Sequence, residues 1–434
     1  MNKIKFNKFF LVALTLLSTI LILGNVCIAD EITTSNEPQV YSDATILMDS
    51  KTGQILQEHD AYKTVYPAST TKLMTAILTL ENCELTDTVT VNQDALNGIP
   101  SDYTIANLQV GETLTVEQLL HVLLIPSAND AANVLAYHIA GSMENFADMM
   151  NTKAKELGAE NTHFVNPSGL HNDDHYSTAY DMALIGKYAN QFQPIVEIAK
   201  KTEYELPSLP DGTERKFKTT NTLITKDHNS YYEYATGLKT GYTDKAKSCI
   251  VAKANKDDIE LICVVLGGDK IDYKSTYRDL DCHTLFDYGF NNFTYSTICE
   301  KDEVLDMSSL NDIPEELHNA TITISDSISM LVNTQVPITS EITWNSNLEL
   351  PIRKNTVVGY ITYNVNGNDY TVDLITKDYI FTSYSKYISY FFYILLALFI
   401  LMLLILIIKH NRKKRFHRKS RSSDDRKYFR HSFY

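Results

Sequence analysis

The chain has 434 residues, 53 of them acidic and 39 basic, for a net charge of −14. That length fits one large domain with a smaller companion, and the acidic balance argues against nucleic acid as a partner. Charge is unevenly placed: residues 1–8 contribute +3 and residues 409–434 contribute +9, which leaves −26 for the stretch between.

The chain opens with MNKIKFNK, then an apolar run at 9–24, then NVCIAD. A basic start, an apolar stretch and a small residue at Ala29 read as a signal peptide over 1–29. A lipid-modified Cys27 and an uncleaved anchor are the alternatives. From 41 to 58 the pattern is a hairpin, ATILMD and QILQE around a turn at SKTG. Helical runs follow at 71–80, 115–125, 130–140 and 143–158, with apolar residues at the 3.6-residue period of buried faces. Residues 204–224 read as short strands and turns. YATGLKTG at 234–241 leads into two strand-like runs around KDD at 247–268, and 276–290 reads as one helix. Helices in the middle, with strands from both ends of the stretch, predict one α+β domain over 40–292.

Residues 301–380 hold ATITI, SMLVN, QVPITSEITW, NLELPI, VVGYITYNV and DYTVDLI between polar turns, which predicts a small β-sandwich-like domain. Residues 388–408 then run 21 positions without a charge. As a helix they would span about 31 Å, enough for a bilayer core. Tyr384, Tyr387 and Tyr390 fall where an interfacial aromatic belt lies. Residues 409–434 carry 11 Lys/Arg against two Asp. This predicts a single-pass protein of the cell membrane, with a cytoplasmic tail held to anionic lipid and residues before 388 outside. The six cysteines (27, 83, 249, 263, 282 and 299) form neither a CxxC pair nor a zinc pattern. Removal of the signal leaves an odd number, so mostly buried thiols are expected.

Three short motifs carry chemistry. Ser69 and Lys72 in YPASTTKLMTA lie one helical turn apart, so the lysine amine can reach the serine hydroxyl. A serine is a weak nucleophile until a neighbouring base takes its proton. A buried amine near other positive charge can be that base. Read alone, Ser69 is an ordinary helix cap. PSAND at 126–130 interrupts two helical runs and would present Ser127 and Asn129 from one loop; read alone it is a helix stop. GLKTGYT at 237–243 would put Lys239 beside Thr240 as an anion clamp, and Gly241 would let a substrate backbone lie close. A second KTG at 51–53 sits inside the hairpin and reads as a turn.

Together, S-x-x-K at 69, S-x-N at 127 and K-T-G at 239 form a serine–lysine acyltransferase signature. With NPSGL (166–170), HYSTAYDMALI (175–185) and R-D-x-D-x-x-x-L-x-D-Y-G-F (278–290), the chain resembles the penicillin-binding proteins and serine β-lactamases. Within them it is most similar to the low-molecular-mass D-alanyl-D-alanine carboxypeptidases of peptidase family S11. The resemblance implies a helical cluster on an antiparallel sheet, a following β-domain, and no metal or cofactor. It implies that Ser69 forms the acyl-enzyme, Lys72 takes its proton, Ser127 relays protons and Asn129 holds a substrate amide. Lys239, Thr240 and Arg278 would meet the terminal carboxylate, with Lys274 the competitor for Arg278. The backbone N–H groups of Ser69 and Tyr242 would form the oxyanion hole. The implied substrate is a peptidoglycan stem peptide, and β-lactams would acylate the same serine.

Two rivals remain at this stage. A β-lactamase would use Glu160 and Asn166 to direct water, but they are six residues apart where the class A pattern has four. A non-catalytic wall-binding protein would not need the motifs. The hydrophobic span also departs from the amphipathic C-terminal helix common in the family.

Overall fold

The computed structural model describes residues 37–100, 103–272, 275–381 and 384–428; the expected signal peptide and Lys274 lie outside them. The chain divides into two units, Met1–Asn291 and Asn292–Tyr434.

The first unit begins with the hairpin β1 (Ala44–Asp49) and β2 (Ile55–His59), turned by the Lys51–Gly53 KTG. A 3-10 turn, Ala68–Thr71, runs into α1 (Lys72–Asn82). Next come β3 (Thr88–Thr90), α2 (Gln93–Leu96), β4 (Thr113–Thr115), α3 (Val116–Leu124), α4 (Asn129–Ala140) and α5 (Met143–Glu156). After these lie α6 (Ala179–Ala189), α7 (Gln193–Ala199), β5 (Glu203–Leu206) and β6 (Arg215–Lys218). The unit closes with β7 (Ala235–Thr243), β8 (Lys247–Lys256), β9 (Ile259–Gly268) and α8 (Tyr277–Asn292). The main sheet is antiparallel in the order β2-β1-β9-β8-β7. The hairpin from the start of the domain therefore pairs with β9 from its end, and β7 is an edge strand among the described residues.

Local sequence explains the helix ends. Thr115 and Gln118 form a capping box at the start of α3. Gly141, at φ +75°, ends α4 in the left-handed conformation that a glycine adopts without strain. α1 has no side-chain cap, so packing must hold it. Leu73, Met74, Ile77 and Leu78 are buried, each contributing about 1.5–3 kcal/mol, and α1 packs against α3, α4 and α6. α6 lies on β1 and β9. All five described cysteines are free thiols, four of them buried. Cys263 of β9 and Cys282 of α8 touch at 3.9 Å between sulfurs without a bond.

The second unit opens with β10 (Phe293–Cys299), upstream of the expected start at 301, because FTYSTIC pairs with β12. Then follow β11 (Ile322–Ile324), β12 (Ile328–Asn333), β13 (Thr339–Trp344), β14 (Val357–Val365) and β15 (Asn368–Thr376). They form a β10-β12 pair and a four-stranded sheet in the order β11-β15-β14-β13. Ile322, Ile324, Ile361, Val372 and Leu374 sit in its core. The expected strand NLELPI does not form: Pro351 removes a ladder donor, and the segment makes only the Ile352–Ile380 bridge. The unit ends in α9 (Ser385–Tyr428). Within it, Tyr387–Lys414 is long and apolar enough to cross a membrane, and its large apolar side chains are exposed.

Candidate active site

The 3-10 turn places Ser69. Its approach is strained: Ala68 has φ +48°, a conformation that costs a residue with a Cβ about 1–3 kcal/mol. The turn is clamped on three sides. Thr70 Oγ1 donates to the Pro67 carbonyl at 2.6 Å. Thr71 Oγ1 lies 2.8 Å from His175 Nε2. The Val165 N–H donates to His175 Nδ1 at 3.2 Å, so the ring carries its proton on Nε2 and donates it to Thr71. Burial, then His163, Lys72 and His171, pull the His175 pKa down to about 3, which keeps this ring neutral. From the third side, Gly241 of β7 lets the turn come close: a Cβ there would sit 2.8 Å from the Ser69 nitrogen. The glycine thus makes room for the nucleophile's own backbone, and it also lines the cleft.

Lys72 is fully buried. Its Nζ donates to Asn129 Oδ1 at 2.7 Å and to the Ser168 carbonyl at 2.6 Å, and lies 2.9 Å from Ser69 Oγ. Its pKa is lowered well below the ordinary lysine value by burial first and by Lys239 second, with Asp130 opposing. Two carbonyl oxygens account for the two hydrogens of a neutral amine. The third contact then leaves the nitrogen lone pair for the Ser69 hydroxyl.

PSAND interrupts the helices through Ser127, at φ +71°. Asn129 is the first residue of α4; its N–H and its Nδ2 both donate to the Thr104 carbonyl, at 2.9 and 3.1 Å. Its side chain is thus committed to Lys72 and Thr104. Ser127 Oγ is buried and has no hydrogen-bond partner among the described residues. Asp130 does not cap α4 from outside; it accepts the Ala106 and Leu108 N–H groups at 2.8 and 3.1 Å and so pins the segment that supplies Thr104.

On β7, Lys239 is buried and its Nζ donates to the Thr240 carbonyl at 2.8 Å. Burial, with Arg278 second, pulls its pKa down to about 7. Thr240 Oγ1 is hydrogen-bonded to Thr220 Oγ1. Arg278 is held by Asp279, Nε to Oδ1 at 2.7 Å, and by Thr222, Nη2 to Oγ1 at 2.9 Å. Ser69, Thr104, Ser127, Asn129, Thr240, Gly241, Tyr242 and Arg278 share one cleft of about 480 Å³. Lys72 and Lys239 are buried and are not among the described residues that line it. Glu160 is exposed and is not among the described residues lining the cleft.

The loop at 165–170 is the part that sequence reasoning did not assign. Ser168 gives its carbonyl to Lys72, and Pro167 accepts from Thr75 Oγ1 at 2.6 Å. Asn166 Oδ1 accepts the Gly169 N–H at 2.8 Å and closes the turn. Gly169 has φ +79°, and a Cβ there would fall 1.9 Å from the Ala68 carbonyl oxygen. Gly169→Ala is therefore expected to cost about 3 kcal/mol of stability, read as a lowered urea midpoint, and to lower the rate of acylation in the protein that still folds. An unchanged midpoint would show that the loop does not bear on the serine turn.

Comparison with known proteins bears on this arrangement. The sequence profile described as D-alanyl-D-alanine carboxypeptidase matches residues 31–270. This chain belongs to that family. A second profile, the C-terminal domain of penicillin-binding protein 5, matches residues 293–380 of this carboxypeptidase-family chain. D-alanyl-D-alanine carboxypeptidase DacF of Bacillus subtilis is 30% identical over 334 residues, covering 75% of this chain and 82% of its own. DacC of Escherichia coli is 32% identical over 354 residues, covering 77% and 82%. Among solved structures, penicillin binding protein 5 of Haemophilus influenzae superposes with a TM-score of 0.63 at 26% identity over 80% of this chain and 99% of its own.

Proposed function

We propose that this family member removes the terminal D-alanine from peptidoglycan pentapeptide stems through a Ser69 acyl-enzyme. The observation that carries the reading is the buried Lys72 amine, 2.9 Å from Ser69 Oγ with two carbonyl oxygens on its other side. The Ser69 hydroxyl passes its proton to Lys72 as Oγ attacks the carbonyl between the two D-alanines. The Ser69 and Tyr242 N–H groups take the oxyanion. Collapse breaks the peptide bond, and the leaving amine takes a proton by way of Ser127. The Ser127 hydroxyl, without a hydrogen-bond partner among the described residues, supports that role once substrate fills the cleft. Water then hydrolyses the ester. Thr240 and Arg278 meet the terminal carboxylate directly, and Lys239 acts through its charge from beneath. Asn129 serves mainly to hold Lys72, with its remaining amide hydrogen for the substrate.

The test is mass spectrometry of a pentapeptide incubated with the purified ectodomain. Loss of one alanine, together with one slowly lost penicillin adduct per chain, is expected. Rapid penicillin turnover without alanine release would favour a β-lactamase-like hydrolase, and neither activity would favour a wall-binding protein.

The apolar helix supports a bitopic anchor. The catalytic unit then faces the wall, and the basic stretch from 409 onward faces the cytoplasm. Protease added outside intact cells is expected to remove the ectodomain and spare the tail. Digestion of the tail as well would reverse the topology.

A further inference from the structure

Among its described lining residues, the cleft carries one charge that the reaction does not use. Asp244 lies on its wall beside Tyr242 and Thr243, and it is the one carboxylate among the described lining residues. It is exposed, and it accepts a hydrogen bond from Tyr242 Oη at 3.1 Å. Lys245 follows it in the same turn, and Lys270 Nζ lies 4.9 Å from the centre of the Tyr242 ring.

The position of Asp244 follows from the edge strand. β7 has β8 on one side only, and an extended peptide can add to such an edge. Two points on the proposed substrate are fixed by the reading above: the terminal carboxylate at Thr240 and Arg278, and the scissile carbonyl at Ser69 and Tyr242. Following the substrate back from its C-terminus therefore means moving forward along β7, from 240 to 242 and on to 244. The peptide runs antiparallel to the strand. With about 3.3 Å per residue, the residue before D-Ala-D-Ala comes opposite the end of β7, and a long side chain there reaches Asp244.

We propose that Asp244 is a specificity-determining residue that receives the side-chain amine of the diamino acid preceding D-Ala-D-Ala. The proposal rests on the carboxypeptidase reading. It places two opposite charges of the cleft against two opposite charges of one substrate: Arg278 for the terminal carboxylate, Asp244 for the amine. Asp244 is exposed, so its pairing is solvent-screened. An exposed pair is worth up to about five-fold in affinity.

The test compares Nα-acetyl-L-Lys-D-Ala-D-Ala with its Nα,Nε-diacetyl form, which differs by the one charge. In the wild type, kcat/KM is expected to favour the free amine by about three- to five-fold, and the preference should shrink in 1 M salt. In Asp244→Asn the ratio should fall to one, and in Asp244→Glu it should persist. A ratio, taken within one preparation, is insensitive to how much of the variant folds. An equal ratio in wild type and Asp244→Asn, or no preference in the wild type, would overturn the proposal. Release of D-alanine from neither substrate would instead overturn the carboxypeptidase reading itself.

Discussion

Ser69→Ala is expected to lower D-alanine release from a pentapeptide by at least about 10⁴-fold and to take up no penicillin. The side chain removed is small, and its hydroxyl is hydrogen-bonded to Lys72, so the fold should survive. Thr70, Thr71 and the Gly241 approach still hold the turn in place. The oxyanion donors are backbone groups and remain. What is lost is the atom that attacks, and among the described residues no other hydroxyl is hydrogen-bonded to Lys72 Nζ. Intact-protein mass after incubation with penicillin, run beside the alanine assay, checks both effects. A variant that still gained one adduct would move the nucleophile elsewhere.

Lys72→Met is expected to slow acylation by about 10³-fold or more, because a serine without its base is a poor nucleophile. Methionine fits the buried path of the lysine stem, but it leaves Asn129 Oδ1 and the Ser168 carbonyl without their donor. Each such loss costs about 1–3 kcal/mol, so the variant should also be less stable. The pH profile separates the base from the packing. The wild-type rate should rise with pH as Lys72 gives up its proton. Burial and Lys239 put that limb well below the ordinary lysine range. At the other end kcat/KM should fall from about pH 7, where Lys239 loses the charge that attracts the carboxylate. The residual activity of Lys72→Met should lack the rising limb. A rising limb that survived unchanged would assign the base to another group.

Much of this was legible before the structure. The hairpin at 44–58, the helices and the strands around KDD follow from period and turn residues, and the order of three motifs named the chemistry. The Ser168 carbonyl was not legible, because any residue supplies a carbonyl and only the fold decides which one meets Lys72. The same holds for Gly169 and Gly241. Each glycine is needed because a distant backbone, that of Ala68 or Ser69, passes too close for a Cβ. Ala68 and Ser127 have positive φ, and neither residue type announces it. Lys239 is buried, and its charge acts on Lys72, a coupling that the KTG motif alone does not display.

That placement couples substrate arrival to the strength of the base. Arg278 lowers the proton affinity of Lys239, and Lys239 lowers that of Lys72. On the proposed reading, a bound carboxylate would offset these two charges, and Lys72 would become a better proton acceptor when a peptide with a free terminus is seated. A peptide ending in an amide would occupy the same cleft and meet a weaker base. On that reading such a site would discriminate in the rate of its chemical step, and not in occupancy alone, between a chain that has ended and one that continues.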